Sequence, residues 1–236
     1  MLDQALRPVP PDYGRISASS RINELIYRCF DYISPQDQHK FVSKFRNQPH
    51  DSDQVMHTLR ELVLGAYLGS HGFATSHEYP LGNKTPDWCL FDCELSILGI
   101  IELMNFNLDA ATAQDVESQL DATGLACVWR DQNTDNVDRL YHSIWQKAQT
   151  YRDLAAHFRI AYVVAVFGTF RAALDFEEVT YCLVDEEFGL FREYPVLSGL
   201  LYFEEQHAAY RFQYLQNPSA LSVLELPGGV FPPGVA

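Results

Sequence analysis

The chain is short of positive charge. Its 17 lysines and arginines stand against 31 aspartates and glutamates, a net of −14, so phosphate backbones are on average repelled. Cysteine is scarce as well. Cys29, Cys89, Cys93, Cys127 and Cys182 are odd in number and scattered, which argues against a disulfide framework. They fit reduced cysteines in a cytoplasmic protein. Cys89-x3-Cys93 has no second Cys/His pair at a suitable spacing, so zinc is not expected. Long apolar runs are missing too: the longest, around Ile160–Phe170, is too short to cross a bilayer, and no membrane partner is expected. The opening MLDQALRPVPPDYGR has no apolar core of the kind a secretory signal needs. There is no GxSxG, P-loop or GxGxxG, and the eight histidines lack the i,i+4 pairing of a metalloprotease. Asp51-x-Asp53 lacks the downstream glycine and glutamate of a calcium loop. Internal repeats and low-complexity blocks are also absent.

What is present describes a packed globular protein. The 236 residues are 47% hydrophobic and 13% aromatic, which argues against a disordered chain and suits one domain with a full core, two small ones being the alternative. The charge is uneven. Residues 1–60 carry eight basic and seven acidic residues, so the rest of the chain holds −15. An anionic partner would therefore meet Lys40, Lys44 and Arg46 in HKFVSKFR first; the alternative is a solvated helix face. The sequence leaves open a homo-oligomer or a protein partner.

Residues 1–18 read as a loose arm. Periodicity and capping residues predict helices from Ser20 to about Tyr32, from Pro35 behind Ser34, and from Asp51 or Ser52 to a stop at Gly72. Thr75–Tyr79, Asp87–Phe91 and Ile97–Phe106 read as strands around turn-forming links. DAATAQDVESQLDA has the character of an exposed helix, and GLACVWR that of a brief strand. RDQNTDN reads as a loop before a long helix from about Val137 to His157. RIAYVVAVFGTF is apolar almost throughout, as a central buried strand would be. The last third holds TYCLV, then SGLLYFEE and YRFQYLQ as a hairpin, and an irregular Pro/Gly-rich tail. This alternation gives an α/β fold with a mixed sheet flanked by helices. Residues 1–50 form an N-terminal helical extension packed on a core of 51–236, the two making one structural unit.

Three carboxylates interrupt apolar segments: Glu61 in RELVLGAYLG, Asp87 in KTPDWCLF and Glu102 in LGIIELM. A carboxylate withdrawn from water is costly unless it is paired, hydrogen-bonded or bound to a cation. Glu61 lies on a helix that is apolar nearly all round, where pairing with an arginine such as Arg60 is the alternative to function. Asp87 at a strand entrance can equally cap its own turn. Glu102 is hardest to explain structurally, since a strand there is buried on both faces. Lys147 falls within the stripe Leu140, Ile144, Tyr151, Leu154 and Phe158, where it either snorkels or serves nearby carboxylates.

These pieces, in the order RELVLGAYLG, TPDW and GIIELMN over residues 58–106, resemble the PD-(D/E)XK nuclease superfamily, whose fold is called restriction-endonuclease-like. The later helix and RIAYVVAVFGTF are similar to the second half of its core, and the terminal hairpin is similar to that of some members. QKAQTY, with Gln146 and Tyr151 at inexact spacing, is similar to a glutamine–tyrosine helix motif of one branch. The resemblance implies a metal-dependent phosphodiesterase acting on nucleic acid. In it, Asp87, Glu102 and the Leu103 carbonyl would ligate Mg²⁺ or Mn²⁺, and Glu61 would stand behind them. The lysine expected two residues after Glu102 is Met104, and Lys147 would take its place from the following helix, as in some members. If it does not, the resemblance implies a catalytically degenerate fold used for protein or ligand binding.

Overall fold

A computed structural model describes residues 20–47, 52–106, 110–124, 133–168, 176–185, 187, 189–206 and 209–233. The N-terminal arm, the expected strand GLACVWR beyond Gly124 (Cys127 included) and Asp51 lie outside them. The described residues form a mixed α/β structure of seven helices and seven strands. None of these helices is long and apolar enough to cross a membrane. The chain divides into two compact units, Met1–Glu102 with Gly229–Ala236, and Leu103–Gly228.

In the first unit, helix α1 (Ser20–Phe30) turns Ile26, Cys29 and Phe30 inward at i, i+3, i+4 spacing. Helix α2 (Pro35–Asn47) opens as its sequence predicts: the Asp37 amide donates to Ser34 Oγ at 3.1 Å, and Pro35 stands at the first position. Its buried Gln38 donates to the carbonyls of Phe30 and Ile33, which satisfies acceptors left open where α1 ends. Helix α3 (Ser52–Ser70) ends before Gly72, whose φ of 86° suits a residue without Cβ. Strands β1 (Ala74–His77), β2 (Trp88–Phe91) and β3 (Ile97–Phe106), of which the first unit holds β3 as far as Glu102, then form an antiparallel meander. Trp88 fastens β2 to α3. Its indole N–H donates to the Glu61 carbonyl at 2.9 Å, and its ring fills the space over Gly65, where any Cβ would fall 1.9 Å from it. Strand β7 (Gly229–Phe231) also belongs to this unit, so the tail read as irregular contains a short strand. Phe231 is fully buried and meets Tyr32 edge-on, which is the apolar reward for that ordering.

The second unit contains helix α4 (Ala110–Thr123), helix α5 (Asn133–Phe158), strand β4 (Ala161–Gly168), helix α6 (Phe176–Val184), the single turn α7 (Leu190–Glu193), and strands β5 (Gly199–Gln206) and β6 (Ala209–Gln216). β4 pairs parallel with β5, and β5 pairs antiparallel with β6 as the expected terminal hairpin. Every residue of β4 is buried, as its unbroken apolar run required. TYCLV lies in a helix: Val179, Cys182 and Leu183 are buried at i, i+3, i+4, a spacing too short in sequence to separate from a strand. Helix α5 begins four residues before Val137, because Asn, Thr and Asp suit a first turn as well as a loop. Its inward stripe is Leu140, Ile144, Ala148, Tyr151 and Ala155, whereas Phe158 is exposed and Leu154 half-buried. Lys147 therefore flanks the stripe, about 100° from Ala148, and does not sit in its middle.

Candidate functional site

Asp87 and Glu102 are brought together by strand register. Trp88 pairs with Ile101 and Cys89 with Ile100, so one step further sets Asp87 across from Glu102. The Asp87 amide donates to Glu102 Oε1 at 3.1 Å, and the Asp87 carbonyl accepts the Glu78 amide at 3.0 Å. Glu102 is 5% exposed, between the buried Ile101 and Leu103; Asp87 is half-buried at the strand entrance. The charge of Glu102 is felt locally. Burial, then Glu102, pushes the Cys89 thiol up to about 12, against an opposing effect of Lys40. Cys89 stands two residues beyond Asp87, on the same face of the meander as Glu102 by alternation.

Glu61 belongs to a different set of groups. Trp88 and Ile101 face α3, so alternation turns Glu102 away from that helix. The Glu61 carboxylate meets Lys44 Nζ at 2.9 Å and His77 Nε2 at 3.2 Å through Oε2, and His57 Nε2 at 3.1 Å through Oε1. His57 stands one turn before it on α3. His77 comes from β1, fully buried against the rings of Phe41 and Trp88, at centroid distances of 4.3 and 5.1 Å. Burial alone would raise the Glu61 pKa. The hydrogen bonds from His57 and His77 and the charge of Lys44 outweigh burial and hold it well below the usual carboxylate range.

The three basic residues of HKFVSKFR part company. Lys44 bridges Glu61 and Glu78 Oε1, the latter at 2.7 Å. Burial lowers its pKa, but the charges and hydrogen bonds of those two carboxylates raise it further. Lys40 donates to the His77 carbonyl and lies 3.4 Å from Asp37 Oδ1. Arg46 is exposed at the end of α2. Two of the three candidate anion contacts thus hold carboxylates within their own unit.

Leu103 and Met104 follow Glu102 along β3, and both are buried. Lys147 lies on α5 in the second unit, half-buried, and its carbonyl accepts the Tyr162 hydroxyl at 2.9 Å. The residues that sequence reasoning missed are Asp37, His57, His77 and Glu78. The i,i+4 pair His57–Glu61 was visible as spacing. The others depend on how β1 and α2 meet α3, which no local pattern carries.

Among the described residues, no three or more His, Cys, Asp or Glu side chains are grouped so as to hold a metal ion. No family model matches the chain, and neither does any curated protein or solved structure.

Proposed function

We propose that this chain is a metal-dependent phosphodiesterase of the restriction-endonuclease-like type, acting on nucleic acid, with Asp87 and Glu102 as its cation-holding carboxylates. One observation carries the reading. An acidic residue at the entrance of one strand stands across from another that lies buried within the otherwise apolar neighbouring strand. The hydrogen bond from the Asp87 amide fixes the Glu102 carboxylate, as outer hydrogen bonds commonly fix metal ligands. The order of elements supports the same reading: a helix, a three-stranded antiparallel meander, a long helix, then a buried strand.

The donor set suits a hard cation. Mg²⁺ is usually held by one or two carboxylates with waters and substrate phosphates, so it does not need the three-donor cluster that the described residues lack. Such an ion would supply a Lewis acid for a phosphoryl oxygen and a more acidic bound water. Glu102 and Asp87 would hold it in place, while the apolar neighbours of Glu102 limit competing water.

A second reading has its own support. Met104 stands where the superfamily carries lysine, and Glu61 is engaged by Lys44 and two histidines. Both favour a degenerate fold that binds a protein or small ligand. Calorimetry with Mn²⁺ separates the two. The phosphodiesterase reading expects heat in the wild type that Glu102→Ala removes, and cleavage of nucleic acid that Asp87→Asn and Glu102→Gln abolish in a folded protein. No heat, or cleavage retained in either variant, overturns it.

A further inference from the structure

We propose that Lys44, Glu61 and Glu78 are positioning residues for Asp87, acting through a strained peptide; this rests on the reading of Asp87 as a cation ligand. Glu78 has a φ of 48°, in the left-handed region that disfavours residues with a Cβ. Such outliers persist where their surroundings over-determine them, and they gather at functional sites. Two hydrogen bonds hold this one, and His77 Nδ1 lies 3.8 Å from its Oε2 as a longer contact. The Glu78 amide donates to the Asp87 carbonyl at 3.0 Å, and its carboxylate accepts Lys44 Nζ at 2.7 Å. Lys44 is in turn fixed by buried Glu61 at 2.9 Å, and Glu61 by His57 and His77.

The line therefore runs from Glu61 through Lys44 to the Glu78 side chain, then through the Glu78 amide to the Asp87 carbonyl. Beyond it, the Asp87 amide meets Glu102 Oε1. Both main-chain polar groups of Asp87 are thus tied down, one to each neighbouring strand or its extension. Glu61 serves the site without touching a cation: it anchors the lysine that keeps Glu78 in a conformation only glycine adopts readily. This accounts for a buried carboxylate that faces away from Glu102 yet is saturated with donors.

The test uses the full chain and two readouts, protection of the Glu78 and Asp87 amides against hydrogen exchange, and Mn²⁺ affinity by calorimetry. Lys44→Met is expected to lower protection at both amides and weaken Mn²⁺ roughly tenfold. Glu78→Ala keeps the Cβ and loses the ion pair, and should do the same. Glu78→Gly adopts the required φ without a partner, so it should keep near wild-type affinity, and adding Lys44→Met to it should cost nothing further. Unchanged amide protection in Lys44→Met overturns the proposal, and so does Glu78→Gly behaving like Glu78→Ala. The Glu78 pair decides the matter even if Lys44→Met does not fold, since Glu78 is 39% exposed and its replacement leaves the core intact. If Asp87→Asn leaves Mn²⁺ binding unchanged, the phosphodiesterase reading fails, and amide protection alone then judges the positioning.

Discussion

Asp87 and Glu102 meet through a main-chain amide and a side-chain carboxylate: the Asp87 amide donates to Glu102 Oε1 at 3.1 Å. That arrangement separates the chemical role of Glu102 from its structural one. Glutamine keeps an oxygen that accepts the Asp87 amide, whereas alanine leaves that amide without it. Glu102→Ala should therefore be less stable than Glu102→Gln by about 1–3 kcal/mol in urea unfolding, while both lose cation binding. Equal stability would show that the amide does not depend on Glu102.

Gly65 has no room for a side chain. A Cβ would fall 1.9 Å from the Trp88 ring, and that ring is fixed by its bond to the Glu61 carbonyl. Gly65→Ala should cost about 1–3 kcal/mol, typical of overpacking a closed core, and lower the melting temperature. A paired Trp88→Phe should recover part of the loss.

Acid should weaken the first unit through Glu61. Its pKa in the folded protein lies below the ordinary 4.5, so its contribution is full above that value and lost as pH falls below it. Lys44 behaves oppositely. Its pKa lies above 10.5, so its contribution holds below that value and fades as pH rises through the folded one. The stability gap between wild type and Glu61→Gln should shrink on moving from neutral pH to below 4.5. A gap that stays constant across that range would mean the network does not favour the ionised carboxylate.

Lys147 tests the second half of the resemblance. Under the phosphodiesterase reading, Lys147→Met lowers turnover without weakening Mn²⁺ binding. Unchanged turnover would make Lys147 a residue of helix packing only, consistent with its place beside the buried stripe of α5.

The elements that could be read from sequence were those with strong local signals. Ser34 and Pro35 marked the start of α2, Gly72 the end of α3, and the unbroken apolar run of β4 its burial. TYCLV was ambiguous because nine residues of helix hold too few turns for periodicity to show. The strand Gly229–Phe231 has three residues, too few for alternation to show, so proline and glycine content misdirected the reading. The same boundary runs through the candidate site. Buried acidic residues are conspicuous against aliphatic neighbours, which made Glu61 and Glu102 legible. Their partners were not, since Lys44 and His77 stand 17 and 16 residues from Glu61.

The notch that Gly65 leaves for Trp88 makes this indole an optical gauge built into the protein. Its ring is sealed from water and its N–H is bonded to a helix carbonyl, while Trp145 is partly exposed on another element. Emission from Trp88 should shift to longer wavelength as soon as α3 parts from the meander, reporting on the scaffold that sets Asp87 opposite Glu102 without any added label.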